Sequence, residues 1–312
     1  MLKPHKSFNE VFCSLQARRR YEVWFVRLGL ADGSGAWWFR YVLMNPGRAG
    51  CVGNPRGLPV QVWATWFPAN SQARSWIQGF PVEGLELSGR SETPFHFELG
   101  RNRCDENSCR GELAVEGHKV SWDLHYRSSF SVVLSDKGWI GFSRTPHSDA
   151  AFSGRITLDG RRFEGDPLGF GVQGHNCGYR HRNFWTWTHA YFPGASGAST
   201  FEALVYEMPL GLFFRKAVLW HEGKQFTFRK LEEQRRDREK LCWEMRCSGQ
   251  EENLEVLIDG SGPGIHRLPY LKTNCMGNFE VSNNSLANAV ISFERDGSEL
   301  ETRGGAVLEM VG

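Results

Sequence analysis

From Tyr21 onward the chain is built of short stretches in which apolar and polar side chains alternate, separated by turn residues. Tyr21 to Leu30 (YEVWFVRLGL) and Gly35 to Met44 (GAWWFRYVLM) flank an ADGS turn, and their aromatic and β-branched content predicts a hairpin. After an irregular Gly/Pro/Asn segment at 46–59, Val60 to Pro68 reads as another aromatic strand. Phe95 to Leu99, Gly111 to Val115 and Lys119 to Tyr126 then form a meander. Glu116-Gly117 predicts a two-residue hairpin turn, a device that recurs at Asp159-Gly160 and Glu222-Gly223. The pattern goes on with strands at 184–192, 200–208, 213–220, 225–231, 241–247, 253–258 and 289–295. Between them, Arg229 to Lys240 mixes charges of both signs and predicts a solvated hairpin tip or short helix. The Asn-rich NFEVSNNSLANA is expected as a loop, and residues 1–20 as a lead-in with one short helix capped around Ser7-Phe8-Asn9-Glu10. Repeated hairpins without amphipathic helices between them predict an all-β protein of antiparallel sheet closed or folded on itself.

The densest cluster of glycine, histidine and large aromatic residues is Phe170 to Phe192, FGVQGHNCGYRHRNFWTWTHAYF. Its second half alternates, so Trp185, Trp187, His189 and Tyr191 share one face of a strand. Two indoles, an imidazole and a phenol on one face suit the lining of a ligand cavity, because each ring brings apolar area and a polar tip. A Trp-rich barrel core is the alternative. The N-terminal hairpin combines large rings with polar handles in the same way, placing Trp24, Trp38 and Arg40 as candidates to face the same cavity.

Composition narrows the partners. Lys+Arg number 37 against Asp+Glu 35, and no basic stripe interleaves with aromatics, which argues for a small hydrophobic molecule and against nucleic acid. Trp 12, Phe 22 and Gly 35 suit a turn-rich β-protein with aromatic-lined interiors. Eight cysteines, Cys13, Cys51, Cys104, Cys109, Cys177, Cys242, Cys247 and Cys275, in a chain whose first residues show no apolar signal region are expected as reduced thiols of a cytoplasmic protein. Their spacing matches no zinc knuckle. A metal site drawn from His175, Cys177, His181 and His189 lacks a nearby carboxylate, and neither a metal nor another cofactor is expected. No run reaches the roughly 18–20 apolar residues of a membrane span, so at most a peripheral membrane contact is expected.

The run GFGVQGHNCG followed by FWTWTHAYF resembles the signature of a superfamily that includes carotenoid 1,2-hydratases, tocopherol cyclases and lipocalin-like Diels–Alderases. Its members carry an Asp-His-Asn/Gln-Trp-Gly run ahead of a Trp-x-Trp strand. YEVWF and WWFRYVL near the N-terminus and NFEVSNNSLANAVISFE near the C-terminus look like the corresponding ends of such chains. The resemblance implies two calycin-like or lipocalin-like antiparallel β-barrel halves, 1–164 and 165–312, with a hydrophobic ligand held in or between them. His175 and Asn176 match the motif's His-Asn, Gly178 its closing glycine, and Trp185 and Trp187 its Trp-x-Trp. Gly174 stands where the family has Asp, and Cys177 where it has Trp.

The missing acid bears on chemistry, since hydrating or cyclising an isoprenoid requires protonating an alkene by a carboxylic acid kept neutral in an apolar site. Three readings follow. One is a hydratase or cyclase of a terpenoid or polyene with a relocated acid, Glu202 first and Glu164, Asp166 or Glu207 otherwise. Another is a pericyclic cyclase that shapes a polyene or polyketide-like substrate and polarises it through His189, Tyr191 or Asn176. The last is a non-catalytic carrier of a hydrophobic molecule. His175 and Asn176, set between glycines, are expected to act mainly as a structural corner.

Overall fold

The computed structural model describes residues 8–47, 58–90, 93–194, 197–250, 252–294 and 297–312. These residues contain no α-helix, only 3-10 turns at Gly138–Ile140 and Pro209–Gly211 between strands. The first sheet comprises β1 (Tyr21–Leu30), β2 (Gly35–Met44), β3 (Val60–Pro68), β4 (Arg74–Phe80), β5 (Glu86–Ser88), β6 (His96–Leu99), β7 (Asn102–Asp105), β8 (Ser108–Val115), β9 (His118–Arg127), β10 (Val132–Asp136), β11 (Gly141–Leu158) and β12 (Arg161–Gly178). Its order is β4-β3-β2-β1-β12-β11-β9-β8-β7-β6-β5, with β10 beside β11. The second sheet comprises β13 (Trp185–Phe192), β14 (Ser199–Glu207), β15 (Phe213–His221), β16 (Lys224–Phe228), β17 (Lys230–Asp237), β18 (Cys242–Ser248), β19 (Asn253–Asp259), β20 (His266–Leu271), β21 (Asn278–Phe293) and β22 (Glu299–Val311). Its order is β16-β15-β14-β13-β22-β21-β19-β18-β17, with β20 beside β21. The chain changes sheets between Gly178 and Trp185, in the middle of the histidine- and tryptophan-rich stretch.

Local chemistry accounts for the hairpins. Glu116-Gly117, Asp159-Gly160 and Glu222-Gly223 all have positive φ at both residues, 54° and 81°, 49° and 87°, 48° and 74°. Left-handed pairs of this kind match the twist of the strands they join.

Each sheet curls around its own apolar core, giving the two lipocalin-like halves. In the first, Trp24, Trp37, Phe39, Tyr41, Trp66 and Trp122 fill the interior. In the second, Phe201, Leu219, Trp243, Met245, Ile258 and Leu308 do so. A third cluster, with Phe25, Trp38, Trp187, Leu204, Tyr206 and Val307, lies between the sheets. β2 is therefore buried at every position, its odd residues in the barrel and its even residues against the other half. The buried Arg27 ties the halves together: its guanidinium donates to the carbonyls of Ser285, Gly304, Gly305 and Ala306, and burial pushes its pKa down to about 9.

Three expectations are corrected. No helix forms within 8–20; instead the backbone N–H groups of Phe12 and Cys13 donate to the buried Glu22 carboxylate at 2.9 and 2.6 Å, holding the lead-in extended. Ser7 of the expected cap lies outside the described residues, as do Cys51 and most of the segment at 46–59. The charged run is one arm and the turn of the β17–β18 hairpin, one of the two forms expected for it; its arm is edge strand β17, anchored by buried Leu231 and by Trp243 Nε1 donating to Glu233 at 3.1 Å. NFEVSNNSLANA forms most of β21, because its bulges let Asn284 donate to the Gly260 carbonyl at 2.8 Å and accept from Leu286 N–H at 2.9 Å. Finally, Cys13, Cys104, Cys109, Cys177, Cys242 and Cys247 are free and buried, but Cys275 is disulfide-bonded. Spacing along a chain does not reveal which thiols folding brings within bonding distance.

Candidate functional site: a cavity between the two barrels

Where the outward faces of β1, β2 and β3 meet β13, β14, β20 and β22, packing leaves a cavity of about 190 Å³. Val23, Phe25, Trp38 and Trp63 wall one side, and Trp185, Trp187, Leu204, Tyr206 and Tyr270 the other. It reaches solvent past the exposed Lys137, Ile140 and Arg180. This volume is below the roughly 300 Å³ of an ordinary small-molecule pocket, so a larger ligand would extend into the mouth.

An ion pair forms the polar centre. Arg40 donates to Glu309 Oε2 at 3.2 Å, with both side chains about nine-tenths buried. The same guanidinium lies over Trp38 at 4.0 Å and over Tyr270 at 5.2 Å, so rings and a carboxylate share its charge. Burial lowers the Arg40 pKa and the neighbouring Glu309 carboxylate opposes that shift. Glu309 also accepts from Trp185 Nε1 at 3.0 Å and Asn283 Nδ2 at 3.4 Å. Three other lining side chains carry a buried polar atom without a protein partner: Trp38 Nε1, Tyr270 Oη and His181 Nδ1. Burial, then the Arg40 charge, push the His181 imidazole down to about 3, so it is neutral at pH 7.

Of the residues singled out from the sequence, Trp38, Arg40, Asn176, Trp185 and Trp187 line this cavity. Asn176 is half-buried and its amide makes no hydrogen bond to a described residue. Trp24 and His175 do not line it, although they sit on the same two strands. Period two turns them into the first barrel, where they stack 4.8 Å apart. His175 there bridges Glu22 Oε1 at 2.9 Å and the Phe8 carbonyl at 2.6 Å. His189 and Tyr191 extend the Trp185 face along β13 beyond the cavity. His189 Nε2 pairs with the Ser148 carbonyl at 2.7 Å, and burial holds its imidazole down at about 3; Tyr191 stacks on Phe170 at 5.0 Å.

Glu202 pairs across the hairpin with His189 and is not among the residues that line the cavity. Its Oε1 accepts from Trp187 Nε1 at 3.0 Å and Thr145 Oγ1 at 2.8 Å, while Oε2 is buried without a partner. Burial pushes this carboxyl up to about 7 against the lowering effect of those two donors. Glu164 is exposed and paired with Arg155, Asp166 is exposed, and Glu207 ends β14 at the rim. At Gly174 a Cβ would stand 2.2 Å from Phe25 Cζ, so the Phe25 ring occupies the space a motif acid would need.

Among the described residues, no three His, Cys, Asp or Glu side chains gather as a metal site. His175, His181 and His189 fall in the barrel, at the cavity and at the sheet interface respectively. Among the lining residues that sequence reasoning missed are Phe25, Tyr270, Glu309, and His181 in this role. Glu309 had a signal: it is a single carboxylate inside the apolar run AVLEMV.

No family model matches the sequence, and no curated protein matches it. Solved structures share its fold. CghA with Sch210972 is 13% identical with a TM-score of 0.63, covering 94% of this chain and 88% of that one. Kievitone hydratase from Nectria haematococca is 10% identical with a TM-score of 0.56, covering 98% and 94%. An AttH-type protein from Nitrosomonas europaea is 12% identical with a TM-score of 0.56, covering 100% and 96%. This likeness runs along nearly the whole chain and agrees with the lipocalin-like fold expected from the sequence.

Proposed function

We propose that this protein is an enzyme that folds a hydrophobic polyene or polyketide-like substrate in the cavity between its barrels and promotes a cyclisation of the pericyclic kind. The observation that carries this reading is the state of Glu309, the sole carboxylate among the described lining residues. Both of its oxygens already accept hydrogen bonds, and a guanidinium lies beside it. Such a group holds charge and position; it is not arranged to hand a proton to an alkene. The motif's acid position is filled by Phe25, and Glu202 is screened from the cavity by the Trp187 indole it holds.

What remains is confinement and polarisation. Aromatic walls on both sides restrict a flexible chain to folded conformers, which lowers the barrier to a unimolecular ring closure. Trp38 Nε1 and Tyr270 Oη are donors that a substrate carbonyl could satisfy, and hydrogen bonds to that carbonyl would lower the empty orbital of the electron-poor component and stabilise charge that develops on its oxygen in the transition state. Glu202 then serves as a positioning residue for Trp187. Kievitone hydratase, and a protein crystallised with Sch210972, have this fold, which supports ligand chemistry on the scaffold.

The test is to extract and identify any apolar compound that co-purifies with the protein, and to incubate its open-chain precursor with ligand-free protein. Conversion to a ring-closed product is the expected result. Recovery of the compound unaltered, with tight binding, would replace the enzyme by a carrier.

A further inference from the structure

Eight large hydrophobic side chains are exposed among the described residues, and five of them lie on segments that carry or adjoin lining residues of the cavity. Ile140 lines the cavity opening, and Tyr179 is bonded to it, its N–H donating to the Ile140 carbonyl at 3.2 Å. Phe12 meets the lining residue Phe142 edge-on at 5.9 Å. Leu210 and Leu212 project from the loop between β14 and β15, beside the lining residue Tyr206, which stacks on Phe214 at 4.8 Å. Scattered exposed apolar residues need no explanation, but a cluster rimming a hydrophobic cavity does.

Leu210 makes the case sharper. It is 96% exposed and has φ 68° and ψ 22°, a left-handed conformation that suits Gly or Asn. A leucine held there gains nothing from the fold and strains the backbone, which directs attention to what it meets outside the molecule. The flanking charges are basic. Lys137 lies over Phe214 at 5.3 Å and Arg19 over Tyr179 at 5.5 Å; Arg180 and Arg182 line the opening itself. Of the acids nearby, Asp136 is engaged by Arg144 at 2.7 Å and Glu207 ends β14.

We propose that this rim docks on an anionic lipid bilayer, its apolar side chains entering the headgroup region while the basic residues meet lipid phosphates, so that the cavity exchanges its hydrophobic ligand with the membrane. Apolar insertion plus a basic surround is the combination that holds peripheral proteins on such surfaces. The proposal rests on the cavity as the ligand site, because the rim surrounds its mouth.

The experiment is co-sedimentation of the full chain with vesicles of phosphatidylcholine alone or mixed with phosphatidylglycerol, using the wild type and Leu210→Asn/Leu212→Ser. Neither leucine lines the cavity, and Asn suits the backbone at 210, so the variant should melt no lower than the wild type. The wild type should sediment with the mixed vesicles and be released by salt, and the variant should bind about tenfold less. Uptake of the neutral dye N-phenyl-1-naphthylamine should be the same in both. Wild type left in the supernatant, equal sedimentation of the two proteins, or equal binding to phosphatidylcholine alone would overturn the proposal. Vesicle binding with no dye uptake would support docking and count against the cavity reading.

Discussion

The ring of Phe25 stands over Gly174 on the paired strands β1 and β12, where a Cβ would lie 2.2 Å from the ring's Cζ atom. Cavity shape at this point is set by an aromatic ring in place of a side-chain acid. Gly174→Asp should therefore destabilise the protein by about 1–3 kcal/mol from overpacking alone. Phe25→Ala costs stability through lost packing, but it frees the space that the introduced carboxylate needs. The double variant should be less destabilised than the sum of the single ones, which denaturant unfolding of all four proteins would measure. Strict additivity would show that the two positions do not compete for space.

Glu202 makes stability depend on pH with a defined sign. Its folded pKa is raised, from 4.5 to about 7, so the folded state holds the proton more tightly than the unfolded chain. Its contribution is full below about 4.5 and is lost as pH rises to about 7, after which it stays lost. Glu202→Gln keeps the shape and removes the ionisation. The variant should gain on the wild type in melting temperature across that window and hold a constant difference above it. Parallel melting curves at all pH values would contradict a buried, titrating Glu202.

The Arg40–Glu309 pair predicts asymmetric losses. Glu309→Gln leaves a buried guanidinium without its countercharge and should cost about 3–5 kcal/mol, more than a surface pair would. Arg40→Met/Glu309→Leu removes both charges and should recover most of that loss. Urea unfolding of the single and double variants gives the comparison.

His175 should act through stability. Its imidazole bridges Glu22 and the Phe8 carbonyl and stacks on Trp24 inside the first barrel, so His175→Ala strips partners from buried groups and leaves a void. The expected cost is about 3 kcal/mol. The fraction that stays folded should bind a cavity ligand as the wild type does. Loss of ligand conversion in a stable His175→Ala protein would make the histidine a direct participant.

The strands were legible because their alternation and their Xaa-Gly turns are local properties, and the three predicted turns have the left-handed geometry that the hairpins require. The site was less so, for a reason visible in β2. All ten of its residues are buried, so Trp37 in the barrel and Trp38 at the cavity look alike in sequence. Alternation separates the faces of a strand without saying which one is the barrel interior. Trp24 and Arg40 both belong to the hairpin that combines rings with polar handles, yet of the two only Arg40 lines the cavity. Glu309 and Tyr270 come from the far end of the chain and meet Arg40 only once the two sheets pack, a proximity that no local pattern encodes.

The central claim is that ligand enters the space between the barrels and not a barrel interior. The most direct measurement is a titration of N-phenyl-1-naphthylamine, followed by its fluorescence, into wild type and Leu204→Trp. Leu204 lines the cavity and is outside both barrel cores, so an indole there should fill the space, abolish binding and leave the fold intact by circular dichroism. Undiminished binding in a folded Leu204→Trp protein would contradict the account and place the ligand elsewhere.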